Sequence, residues 1–175
     1  LSNNPELTKL DVGANALTKL VSKNPGLTEL CASGNQLTKL DVSNNSKLII
    51  LEIYKNLLTE LDVSNNPELT KLTVDDNQLN ELDVSNNPKL NQFFASGNQL
   101  TELDLSNNPE LSFLDVSSNQ LTELDLSNNP DMSILFVSEY HLTELRLSNE
   151  VDLENNIGGI SIPPHLKFDK VKGYF

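Results

Sequence analysis

Leu100 to Asn129 reads LTELDLSNNPELSFLDVSSNQLTELDLSNN, and this stretch decides the fold. Leu-Thr-Glu-Leu-Asp-Leu-Ser-Asn-Asn stands at residues 100–108 and again at 121–129, 21 residues on. The segment between is a looser copy. Each half carries Leu at position 1, Leu at 4, Leu or Val at 6 and Asn at 9. A short tandem period of this kind marks a solenoid, in which each unit buries its apolar side only by stacking on the next.

The pattern extends outward in both directions. Half-units start at Leu7, Leu17, Leu27, Leu37, Leu48, Leu58, Leu69, Leu79, Leu90, Leu100, Leu111, Leu121, Met132 and Leu142, fourteen in all, or seven coils. Positions 4 and 6 are apolar around a mostly polar position 5, the period of two of a strand with one buried face. Half-units of 10 or 11 residues leave no room for a helix. The expectation is an all-β, right-handed solenoid with two strands per coil, two facing parallel sheets and little or no helix. Equal strand spacing of about 4.8 Å on both sides predicts low curvature. One irregularity stands at Leu20-Val21-Ser22, read as a strand lacking its position 5 and therefore short or kinked. Position-9 asparagines form two columns, expected to point inward and satisfy turn backbone. The columns end at Tyr140 and Glu150, where the template stops. Residues 1–150 are thus read as the solenoid, entered in mid-repeat at Leu1, and 151–175 as a cap or the start of a following domain.

Bulk composition narrows the function. The 175 residues carry a net charge of −13, with a pI near 4.4. Such a chain repels phosphate backbones and anionic bilayers, so nucleic acid and direct membrane insertion are not expected. Cys31 is the lone cysteine, so no internal disulfide is possible. No apolar run approaches the roughly 18 residues of a membrane span.

The unit LxxLxLxxN, as at Leu69-Thr70-Lys71-Leu72-Thr73-Val74-Asp75-Asp76-Asn77, resembles a leucine-rich repeat. With the template in both halves of a 21-residue tandem, residues 1–150 are similar to the bacterial class nicknamed IRREKO, and more distantly to internalin-type surface repeats. The resemblance implies a bacterial protein at the cell surface or secreted, with repeats used for binding, and it implies no catalytic residues.

Outward positions 3, 5 and 7 differ between the two sheets. One is constant: Lys19, Lys39, Glu60, Glu81, Glu102, Glu123 and Glu144 at position 3, Asp41, Asp62, Asp83, Asp104, Asp125 and Arg146 at position 5, serine at 7. Neighbouring like charges about 4.8 Å apart repel by roughly 0.9 kcal/mol in water before screening. Crowding is therefore expected to raise these carboxyl pKa values. A calcium site on Asp62, Asp83, Asp104 and Asp125 is the sharp alternative to a solvated, solubilising face, but calcium wants about 6–8 oxygens.

The other sheet varies. Phe94, Phe113, Ile134 and Phe136 come from three successive coils and should adjoin one another, with Ile50 and Tyr54 as a second spot. Exposed apolar clusters often mark contact surfaces. The functional reading is a non-catalytic segment holding a protein or glycan partner on this face. The alternative is a structural spacer whose cluster is covered by the tail (Ile160, Ile162, Phe168, Phe175) or by weak self-association. His141, His165 and Cys31 stand in no nucleophile or metal motif. No enzyme activity and no cofactor are expected.

Overall fold

The structure, a computed structural model, describes residues 4, 6–137, 141–148, 160, 161 and 166. Tyr140, Glu150, Ile162, His165, Phe168 and Phe175 lie outside the described residues. In chain order the strands are β1 (Lys9–Asp11), β2 (Glu29–Cys31), β3 (Ile50–Glu52), β4 (Lys71–Thr73), β5 (Gln92–Phe94), β6 (Phe113–Asp115), β7 (Glu123–Leu126), β8 (Ile134–Phe136), β9 (Glu144–Leu147) and β10 (Ile160–Ser161). None of the described residues is helical. The architecture is the all-β solenoid with parallel sheets and a repeat of about 21 residues that the period dictates.

The variable side is one eight-stranded parallel sheet, β1-β2-β3-β4-β5-β6-β8-β10. Its register is unbroken: Lys9 pairs with Glu29, then Ile50, Lys71, Gln92, Phe113 and Ile134 follow in line. Beneath it Leu30, Leu51, Leu72, Phe93, Leu114 and Leu135 are buried. Ile160 and Ser161 pair with Leu135 and Phe136, adding a last rung, and Leu166 packs against the core.

The constant side pairs as strands only in places. β7 and β9 form a two-stranded parallel sheet, and Val21 bridges Asp41. Between these, the rungs carrying Asp41, Asp62, Asp83, Asp104 and Asp125 are not joined by strand pairing. Their contact runs instead through the preceding corner, where the amide of Gln78 donates to Leu58 O at 2.8 Å and that of Gln99 to Leu79 O at 2.8 Å. Leu40, Leu61 and Leu82 keep 7 to 9 % exposure there, against 0 to 1 % for Leu30, Leu51 and Leu72.

Leu20-Val21-Ser22 corrects the expected missing position 5. Val21 pairs with Asp41, so it occupies position 5 and is 49 % exposed. Ser22 takes the inward position 6; it is buried, and its hydroxyl has no partner. A strand's side chains alternate without exception, so the strand cannot skip a residue. The deletion falls in the corner before Asn24 instead.

Both asparagine columns point inward, but they are bonded differently. After each variable strand, the amide serves its own turn and the coil before it. Asn77 Nδ2 donates to Ile53 O (3.1 Å), Val74 O (3.0 Å) and Asp75 O (3.2 Å), and its Oδ1 accepts the Leu58 amide at 3.1 Å. After each constant strand, Asn87 Nδ2 donates to Val63 O (3.0 Å) and Asn66 O (2.8 Å). Oδ1 of Asn45, Asn66, Asn87, Asn108 and Asn129 finds no partner, although all five residues are fully buried. The first corners also need a left-handed residue at position 8, supplied by glycine at Gly34 and Gly97 but by Ala14, Lys55, Asp76 and Ser118 elsewhere.

Candidate functional site

Period-two alternation places positions 3 and 5 of the variable strands on one outer face, and rung stacking brings successive coils together. Phe94 on β5, Phe113 on β6 and Phe136 on β8 form a zigzag. The rings of Phe94 and Phe113 have centroids 4.6 Å apart at 37°, and those of Phe113 and Phe136 5.9 Å apart at 51°. Tilted pairs at such distances are favourable by about 0.5–1.5 kcal/mol each. Ile134 is the register partner of Phe113. All four expected residues are therefore brought together, and each is half-buried, leaving a shelf rather than a protruding patch.

Ile50 and Tyr54 do not join them. In the position-3 row, Lys71 and Gln92 stand between Ile50 and Phe113. Ile50 is half-buried, whereas Tyr54 is 40 % exposed. The same coil also exposes Ile49 and Leu57, at 41 % and 43 %. Sequence reading passed over both because it looked only at positions 3, 5 and 7. The signal was there: Ile49 replaces the Thr of position 2 and Leu57 the Gln of position 10.

Charge on this face is ordered. Lys9 pairs with Glu29 at 2.7 Å and Lys71 with Glu52 at 2.5 Å. Lys71 Nζ also lies 5.9 Å from the Phe94 ring centroid, within cation–π range. Asp75 accepts the Ser96 amide (2.8 Å) and hydroxyl (2.9 Å), both at Oδ1. Burial lifts the Asp75 carboxyl above its ordinary range, the Ser96 bonds oppose this, and the charge of Asp115 adds to it. Asp115 itself accepts the Ser117 amide at 3.0 Å. Gly97 lets Asp76 approach: a Cβ there would stand 2.6 Å from Asp76 Oδ1, and the glycine φ is +66°.

The constant face is an open trough of about 1320 Å³, walled by residues such as Glu60, Asp62, Glu81, Asp83, Glu102 and Asp104. The expected rise in its aspartate pKa values is overturned. Asp41, Asp62, Asp83 and Asp104 lie below the ordinary value, because the hydroxyl and then the amide of Ser43, Ser64, Ser85 and Ser106 hold each carboxylate. At Asp125, burial works upward, but bonds from Ser127 and Arg146 outweigh it. Repulsion along the row is real but weaker than a hydrogen bond to the charged form. Each Oδ1 is thus turned to its own serine amide, at 2.8–3.0 Å. Among the described residues no three carboxylate, histidine or cysteine side chains converge as metal ligands, so Asp62, Asp83, Asp104 and Asp125 stand as a row and not a cage. Cys31 is a free, half-buried thiol, and His141 is exposed.

The chain is similar to the functional domain of InlJ from Listeria monocytogenes, a domain that includes a cysteine ladder, with 38% identity and a TM-score of 0.77 over 89% of this chain and 34% of that one. It is similar to a leucine-rich-repeat protein of Leptospira interrogans at 25% identity and a TM-score of 0.73, over 85% of this chain and 41% of that one. An internalin of Listeria monocytogenes shares the fold at 22% identity and a TM-score of 0.71, over 84% of this chain and 44% of that one. The chain therefore spans about a third to under half of the length of these proteins. No protein-family model and no curated protein matches it.

Proposed function

This chain is a leucine-rich-repeat protein resembling the internalins of Listeria, and on that footing we propose that it is a non-catalytic binding segment of a bacterial surface or secreted protein, holding a protein partner on its variable face. The observation that carries the reading is the half-open shelf of Phe94, Phe113, Ile134 and Phe136, fixed on paired strands. A rigid lattice presents apolar anchors with little ordering cost on binding, and buried aromatic anchors supply most of the affinity of a typical interface. Ile50 and Tyr54, with Ile49 and Leu57, form a second, smaller contact on the same side. Ile160 and Ser161 continue the array beside β8, at the end nearest the shelf.

The test is a pull-down against solubilised host-cell surface proteins, comparing the intact chain with Phe113→Ser/Phe136→Ser. At least one protein retained by the intact chain should be lost from the variant by about tenfold or more. Equal recovery of every protein by both would leave the alternative, a stiff spacer built on the uninterrupted eight-stranded sheet.

A further inference from the structure

We infer that the aromatic shelf grips a basic side chain of its protein partner, an arginine or lysine laid on the rings with Asp115 and Asp75 as its counter-charges. The inference rests on the binding reading above and adds the chemistry of what is held.

Asp115 stands between Phe94 and Phe136 in the position-5 row, so a carboxylate is set among phenyl rings. Ring faces carry negative potential and attract cations, and Arg also stacks on them. An apolar or anionic group seated here would strip water from Asp115 and return no hydrogen bond to it. A cation gains from ring and carboxylate together.

The cations already on these strands are committed. Lys9 is held by Glu29 and Lys71 by Glu52, so the charge left beside the shelf is negative. Lys71 also shows that the face of Phe94 accepts a cation, from within the same molecule. Both carboxylates are oriented in advance. Oδ1 of Asp75 is fixed by the amide and hydroxyl of Ser96, and Oδ1 of Asp115 by the amide of Ser117. Asp75 is partly buried and feels the charge of Asp115, a cost that an incoming cation relieves. The constant face is more acidic, but no aromatic residue lines its open trough.

A random peptide display library, selected on the immobilised chain at physiological salt, tests this. Selected peptides should be enriched in Arg or Lys. Their affinity should fall about tenfold for Asp75→Asn/Asp115→Asn, which keeps the acceptors for Ser96 and Ser117. It should hold for Asp83→Asn/Asp104→Asn, which removes equal charge from the opposite face. Equal loss in both double variants would mean attraction to bulk charge and overturn the inference. Peptides that need Phe113 and Phe136 but are not basic would overturn it while leaving the binding reading intact. Glycan-array binding by neutral sugars that is lost in Phe113→Ser would also overturn it, in favour of a carbohydrate ligand. Selection of no peptide that depends on this face would end both.

Discussion

The two long sides of each coil are built from the same template and yet behave differently. On the variable side every rung from β1 to β8 is zipped to the next. On the constant side pairing appears at Val21–Asp41 and between β7 and β9, and there alone among the described residues. Those are the two places where the aspartate row is interrupted, by Val21 at one end and by Arg146 at the other. Arg146 reaches Asp125 at 3.3 Å and Glu144 at 2.6 Å. No two neighbouring rungs of the variable side carry like charges at position 3 or 5. The aspartate–serine turn is not the cause, since Asp115 and Asp125 make the same bond in paired strands. Lateral repulsion of roughly 0.9 kcal/mol per pair is comparable with the net worth of a ladder hydrogen bond, about 0.5–1.5 kcal/mol, so it can decide whether rungs join. The lesson is that an apolar pattern places a strand, while position 5 separates the rungs that pair from those that do not, since at position 3 the like charges of Glu123 and Glu144 stand opposite each other in paired strands.

The largest effect should come at the corners. Asn77→Ala removes one of two donors from each of three carbonyls and leaves the Leu58 amide unpaired. Asn87→Ala removes one of two donors from each of two carbonyls, together with an unpartnered oxygen. The first should cost about 3 kcal/mol and the second about 1–2, read from urea unfolding. A reversed order would mean that the constant-side corner carries the stack.

Next comes the zipper itself. Arg146→Asp completes the like-charged row and should unpair β7 from β9. Amide exchange at Leu124 to Leu126 should then quicken to the rates of Leu82 to Val84, and the melting temperature should fall. Unchanged protection at Leu124 to Leu126 would remove charge as the cause.

The smallest effect is in acid. Asp41, Asp62, Asp83 and Asp104 have folded pKa values below the unfolded 3.8. Their contribution is complete above that value and is lost as pH falls through the folded values. Asp75, raised by burial, acts in the opposite sense and gives back stability as pH approaches its folded value from above. The melting temperature should hold or rise slightly as pH falls toward 3.8 and decline below it. In Asp75→Asn the rise should vanish and the decline remain.

Most of the fold was legible because burial in a solenoid is a one-dimensional problem. The spacing of Leu, Val and Asn determines which side chains face inward, and it did so for every rung from Leu27 to Leu145. The gathering of Phe94, Phe113, Ile134 and Phe136 was legible for the same reason. Four features were not. The phase of Val21 and Ser22 depends on strict alternation overriding hydrophobicity. The lowered aspartates depend on a serine two residues on, which a tally of like charges ignores. The unzipped rungs depend on a balance between repulsion and backbone bonding that residue type alone does not show. Asp75 escaped notice as a polar turn residue, because its burial comes from the next coil.

The short corner before Asn24 shows how such a chain absorbs a change of length. Removing one residue left Leu20, Val21 and Ser22 alternating in step with Leu40, Asp41 and Val42, and the loss was confined to the bend. Unequal copies of the unit can therefore be shuffled, dropped or duplicated without throwing later rungs out of phase. A face assembled this way can change its side chains one coil at a time while the grid that displays them stays fixed.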